Sequence, residues 1–143
     1  MNEILMTLEE IFKLSKNVLL HNGCDEINAE AVSNTVTKAE RDGSLSHGLF
    51  RVPGYIASLR SKKVKGDARP KLKMLNQNII QIEGDCGFAP TALQIGLPAL
   101  ADTTKKFGVG ILALKNIHHF AALWPETEYL AEKGMVGMAC TAY

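Results

Sequence analysis

The stretch IIQIEGDCGFAPTALQIGLPALADTTKKFGVGILALK, Ile79–Lys115, is where the fold class is decided. It opens on a short apolar run, IIQIEG, and closes on VGILALK, β-branched and apolar, which reads as a buried strand. Between them Leu93, Leu97 and Leu100 recur at helical spacing. Pro98 is expected to kink that helix and Gly108 to terminate it. Just upstream, KLKML (71–75) and IIQIEG (79–84) flank the turn residues Asn76, Gln77 and Asn78, which predicts two short paired strands. EGDCGFAP (83–90) reads as a glycine-containing turn serving helix–strand packing. It lacks G-x-G-x-x-G, and Asp85 is unsuited to cradling a pyrophosphate.

Downstream of this stretch, PETEYLAEKG reads as a helix with Pro125 in its first turn, and MVGMACTAY (135–143) as a final strand. Upstream the period is helical. Thr7 with Glu10 three residues later forms a capping box, and Leu8, Ile11, Phe12, Ser15, Val18 and Leu19 share one stripe that Gly23 stops. A second helix is expected from about Asn28, as its cap, to Glu40, with a narrow small-residue face of Ala31, Val32, Thr35 and Ala39. A short helix through Tyr55, Ile56 and Leu59 follows, Pro53 sitting in its first turn. The expected class is α/β with an α+β-like layout: a helical N-terminal segment over residues 1–70, then the first part of an α/β domain over 71–143. A strand ending the chain leaves an apolar edge, so the sequence is expected to be part of a longer protein or to need partner surface.

The 143 residues fit one ordinary domain, and 46% hydrophobic with 22% charged residues is a globular composition. Sixteen basic and fifteen acidic residues give a net charge of +1. The one basic cluster, RSKKVKGDARPKLK (60–73), is interrupted by Gly66 and Pro70 and reads as a solvated linker, so no nucleic-acid partner is expected. Three well-separated cysteines, Cys24, Cys86 and Cys140, form no C-x-x-C and argue for a reducing compartment. No apolar run reaches the roughly 20 residues of a membrane span, and the N-terminus is not a signal peptide. A cytoplasmic protein without a membrane partner is expected.

Chemistry concentrates on two histidine-bearing stretches. In SLSHGLFR, His47 lies between Ser46 and Gly48 with Arg51 four residues on; in KNIHHFAALW, His118 and His119 directly follow a strand, where α/β folds place ligands. Imidazole titrates near working pH and suits general acid/base chemistry. Ser46 can orient the ring, and the planar fork of Arg51 matches a carboxylate. Together they could seat a small 2-oxo or 2-hydroxy acid. The competing readings are a histidine in an ordinary turn, or a zinc module resting on His118 and His119. For zinc, no carboxylate or cysteine stands at ligand spacing nearby, and no metal is expected.

ERDGSLSHGLFRVPGYIASL, IIQIEGDCGFAP, FGVGILALKNIHHFAALW and AEKGMVGMACTAY, taken in order, resemble the N-terminal part of the type-2 malate/L-lactate dehydrogenase family, which includes sulfolactate and ureidoglycolate dehydrogenases and cyclic imino acid reductases. The resemblance implies a non-Rossmann, mixed-sheet nicotinamide-binding domain preceded by helices. The family pattern S-H-G-x-x-R falls on Ser46, His47, Gly48 and Arg51, and N-x-x-H-F/Y-G on Asn116, His119 and Phe120, with Ala121 replacing glycine. D-G-x-x-G-x-G falls on Glu83, Gly84, Gly87 and Ala89, two departures from the pattern; Ala89 and Ala121 fill space next to the site and bear on substrate preference. By resemblance, His47 and His119 are catalytic, Ser46 and Arg51 bind substrate, and Thr141 and Ala142 touch the nicotinamide of NAD or NADP. The implied activity is hydride transfer between NAD(P) and a small 2-hydroxy or 2-oxo (or imino) acid, in a homodimer when full-length. A non-catalytic truncated remnant, acting as a binding domain if at all, is the alternative.

Overall fold

Thr7 caps the first helix as its sequence prescribes: its hydroxyl accepts from the Glu10 backbone N–H at 3.2 Å, and Glu10 accepts from the Thr7 N–H at 2.8 Å. In this computed structural model, which describes residues 4–118 and 121–141, α1 spans Leu8–His21 and α2 Glu26–Arg41. The α2 cap is Asp25, three residues before the expected Asn28. Asp25 accepts from the Asn28 N–H, and its negative charge suits a helix N-terminus, so the helix starts earlier and carries Asn28 inside. Two 3-10 turns, Leu45–His47 and Leu49–Arg51, lead into α3, Val52–Arg60. Strands β1, Lys71–Met74, and β2, Ile79–Phe88, are followed by α4, Ala89–Phe107, β3, Ile111–His118, and α5, Trp124–Ala131.

The three strands form one mixed sheet in the order β1-β2-β3. The hairpin around Asn76 is antiparallel, and the β2–α4–β3 unit pairs in parallel. On β2, Ile80 and Ile82 are fully buried and face α4, while Ile79, Gln81 and Glu83 are half-exposed. The helical layer closes on itself around Leu19, Val32, Val36, Tyr55 and Leu59, and Phe88 from the end of β2 enters the same core. Tyr55 and Phe88 meet edge to face at 5.3 Å between centroids.

Four expectations change. The basic stretch 60–73 is no solvated linker: Val64, Gly66 and Ala68 alternate inward while Lys65, Asp67 and Arg69 face out. Its backbone is tied at both sides, from the Asp25 N–H to the Gly66 carbonyl and from the Lys65 N–H to the Cys86 carbonyl, each 3.0 Å. The helix α4 runs on through Pro98, and its buried face is Ala92, Gly96 and Thr103 rather than the leucine stripe. Small residues win because they let the helix approach the sheet; a Cβ at Gly96 would lie 2.7 Å from Leu112. VGILALK forms β3, but at the sheet's outer position, with Ile111 exposed and Leu112 only half-buried. No strand forms in 135–141; Val136 and Met138 there are almost fully exposed, since neither finds a strand to pair with or a face to cover.

EGDCGFAP is also more strand than turn. Gly84, Asp85 and Cys86 bulge out of β2 between the pairs Glu83–Lys115 and Gly87–Ile117, opposite Asn116 alone. Asp85, Cys86 and Asn116 all carry left-handed φ angles of 52–56°. The bulge is anchored by Lys65 Nζ and the Arg69 N–H on the Asp85 carboxylate, at 2.8 and 3.1 Å. Gly84 and Gly87 are needed for close approach: added Cβ atoms would lie 2.0 Å from Ile117 and 2.3 Å from Ala68.

The two layers are joined by Asn28, whose amide is wholly buried. It donates to Asp25 at 2.8 Å and to the Ala68 carbonyl at 3.2 Å, and accepts from the Thr91 hydroxyl at 2.9 Å. Asn28→Leu is expected to lower unfolding stability by roughly 2–4 kcal/mol, because buried groups left unpartnered cost about 1–3 kcal/mol each; urea denaturation with an unchanged m-value checks this. Burial alone would raise the Asp25 carboxyl, but the Asn28 hydrogen bonds and the Arg69 guanidinium outweigh it and hold it below the usual carboxylate value. The native state therefore binds fewer protons there than the unfolded chain, and stability rises with pH through the carboxylate range. Melting temperature is expected to fall as pH drops from about 5 toward 3, and Asp25→Asn should flatten that slope.

Candidate active site

His47 ends the first 3-10 turn, where Gly48 allows the chain to pass against α2. A Cβ at Gly48 would lie 2.1 Å from Glu40 Oε1, the atom that accepts the Leu49 N–H at 2.7 Å. Glu40 thus holds the junction between the two turns, fixing the approach of His47 on one side and Arg51 on the other. The half-buried imidazole has the hydroxyls of Ser46 and Ser44 at its Nδ1, at 3.0 and 3.3 Å. Its Nε2 meets no hydrogen-bonding partner among the described residues and is the nitrogen open to a ligand. Arg51 closes the second turn, half-buried, with its Nε shielded from solvent. Next to it Tyr55 is buried; burial pushes its phenol up to about 12, with Arg51 pulling the other way, so it stays a neutral wall.

The second histidine stretch is pinned to the same segment at both ends. His118 Nε2 lies 3.3 Å from the Ser58 hydroxyl on α3, which itself donates to the Gly54 carbonyl at 3.0 Å. Ser58 therefore accepts from an Nε2–H of His118. Six residues on, Trp124 meets the His47 ring edge to face, with centroids 5.9 Å apart. His119 and Phe120, between these anchors, lie outside the described residues, as does Ala142; Thr141 is exposed in the strandless stretch.

Ser46 and His47 are thus brought into contact, and Arg51 follows in the next turn. Sequence reasoning missed Ser44, Ser58, Asp42 and Trp124. The chain's one tryptophan, in the loop after a strand, was the available signal for the last. Its indole N–H donates to Asp42 at 2.8 Å, and Asp42 is held by Arg41. The Arg41 hydrogen bond, reinforced by that of Trp124, keeps the Asp42 carboxyl below its usual value.

Among the described residues no cluster of three metal-ligating side chains occurs, and no helix is long and apolar enough to cross a membrane. The donor set suits an acid substrate: one guanidinium, one imidazole and two hydroxyls. It does not suit the phosphates of a dinucleotide at Glu83–Pro90, where the Asp85 carboxylate takes up the nearby donors and both glycines face packed side chains. An open, mainly apolar cleft of about 350 Å³ lies elsewhere, between α2, α4 and α5, with Leu93, Leu97 and Tyr129 in its wall. Neither His47 nor Arg51 lines it, so chemistry rather than size places the site.

Comparison with known proteins places the whole chain in one family. The family model for malate/L-lactate dehydrogenase matches residues 6–143. Delta(1)-pyrroline-2-carboxylate reductase 1 of Burkholderia ambifaria is 36% identical over 137 residues, 96% of this chain and 40% of the relative. The Delta(1)-pyrroline-2-carboxylate/Delta(1)-piperideine-2-carboxylate reductase of Pseudomonas aeruginosa is 36% identical over 96% of this chain and 41% of its own. Among solved structures, delta1-piperideine-2-carboxylate reductase from Pseudomonas syringae superposes with a TM-score of 0.89 at 36% identity, covering 92% of this chain and 40% of that one. Sulfolactate dehydrogenase from Methanocaldococcus jannaschii superposes at 0.83 with 25% identity, covering 91% and 38%. The chain spans about two fifths of the length of the curated relatives it matches. On the family model and on these relatives, the chain belongs to the malate/L-lactate dehydrogenase family.

Proposed function

We propose that this chain carries the substrate-acid wall of an NAD(P)-linked oxidoreductase active site, acting on a small acid with a C=N or C=O bond at C2. The observation that carries the reading is the pairing of His47, steadied at Nδ1 by Ser44 and Ser46, with Arg51 one turn on. The contacts of His118 with Ser58 and of Trp124 with His47 support it, because both reach the same segment of the chain. The names of the relatives, all 33–37% identical, favour a cyclic imino acid over a 2-hydroxy acid.

In this reading Arg51 grips the carboxylate in a two-point clamp, which works through positioning. Nicotinamide, when bound, supplies the hydride to C2. His47 holds the proton that accompanies reduction at its open Nε2, facing the imino nitrogen or oxo oxygen. His119 is the second imidazole, and Thr141 and Ala142 approach the nicotinamide. NAD and NADP are equally compatible with these residues. In this reading a homodimer or further protein surface closes the site.

Reduction of Δ1-pyrroline-2-carboxylate by NADH or NADPH, measured with these residues in a full-length context, tests the reading; no hydride transfer to that acid or to any 2-oxo acid there would overturn it. His47→Ala is expected to reduce kcat by roughly 10²–10⁴-fold with little change in melting temperature. Arg51→Lys is expected to raise KM for the acid while the KM for the nicotinamide cofactor stays put, since an ammonium cannot reproduce the bidentate fork. An unchanged acid KM would remove the clamp.

A further inference from the structure

We propose that Trp124 is a positioning residue for His47 and that Asp42 is what holds Trp124 in place. The role rests on the assignment of His47 above, but the geometry stands independently of it. His47 sits on a three-residue 3-10 turn with no buried residue of its own, a weak platform for an oriented ring. Its Nδ1 is met by two hydroxyls from the same turn, which move with the turn and cannot fix it relative to the rest of the fold. Among the described residues, the one aromatic contact that comes from outside is Trp124, 5.9 Å between centroids and 82° between planes. Such edge-to-face pairs fix orientation as well as adding attraction.

Trp124 is itself fixed from three directions. It begins α5, so its backbone follows that helix. Its Nε1–H donates to Asp42 Oδ2 at 2.8 Å. Asp42 is gripped by Arg41, and Arg41 reaches on to Glu128 of α5 at 2.6 Å, with Lys38 of α2 on the same carboxylate at 3.2 Å. The closed circuit α2–Asp42–Trp124–α5–Glu128–α2 sets the distance between α5 and the end of α2, and with it the plane against which the imidazole rests. Because the donor side of the indole is occupied by Asp42, its apolar ring is what His47 meets. Nε2 is thereby left facing away from the serines, the orientation a proton carrier needs.

The test uses the chain itself with 15N-labelled histidine, read by two-bond nitrogen–proton correlation at a pH above the histidine range. In the parent chain the Nδ1 and Nε2 signals of His47 should be widely separated, as for one fixed tautomer. In Trp124→Leu that separation should shrink toward the value of a freely exchanging ring, and Trp124→Phe, which restores an aromatic edge, should recover most of it. Asp42→Ala should shift the indole N–H signal and narrow the His47 separation in part. An unchanged separation in Trp124→Leu overturns the proposal; should that variant fail to fold, an unchanged separation in Asp42→Ala does so. In turnover, Trp124→Leu should lower kcat several-fold with KM for the acid nearly constant, and parent-like kcat would equally count against the role. Normal turnover in His47→Ala would instead remove the proton-carrying function while leaving the positioning measurement intact.

Discussion

A single carboxamide, that of Asn28, sits where the helical layer, the extended 60–70 segment and the start of α4 converge, and its hydrogen bonds join all three. Buried polar groups are costly unless satisfied, so this one forces a unique arrangement: no other register of α2 against Thr91 and Ala68 would meet its donors and acceptor together. Asp25 serves twice here, as α2's cap and as Asn28's acceptor, and Arg69 neutralises it. The helical layer is thereby docked on the sheet with α3 and its preceding turns held at the seam.

That docking gives the candidate site its position. Phe88 leaves the sheet to pack on Tyr55, and α3 carries the His47–Arg51 turns on its N-terminal side and Ser58 toward β3. His118 and Trp124, on either side of residues 119 and 120, each have a partner on this surface. The bulge at Gly84–Cys86 contributes from the other side, since its left-handed residues bring the end of β2 against Ala68 and Ile117 without obstruction. Backbone strain of this kind persists only where surrounding bonds hold it, and Lys65 and Arg69 supply them. The site is built from 3-10 turns and short loops, but each is fastened to a helix or strand, by Glu40, Ser58 or Trp124.

Most helix ends and the strand–helix–strand order were legible locally. The capping box at Thr7, the left-handed Gly108 after α4, Pro53 and Pro125 in first turns, and the β2–α4–β3 order all follow from short-range chemistry. The His47 motif stood out locally as a candidate, because serine, histidine, glycine and arginine at that spacing serve no core. What misled was apolar content taken as burial. Leu93 and Leu97 border an open cleft while Ala92 and Gly96 take the interface, and Ile111, read as buried, is exposed. The charged 60–73 stretch erred in the opposite sense, since its alternate small residues fill a seam that its lysines conceal.

Sequence by itself determined which residues could do acid/base and carboxylate chemistry, and where most helices start and stop, because those depend on side-chain type and on contacts within a few residues. Tertiary structure alone decided that the Asn28 amide is buried against Ala68 and Thr91, that Trp124 rests on a histidine 77 positions earlier, and which face of α4 is buried. Those outcomes turn on which distant groups satisfy one another and how closely backbones approach, and neither quantity is written in any local pattern of residues.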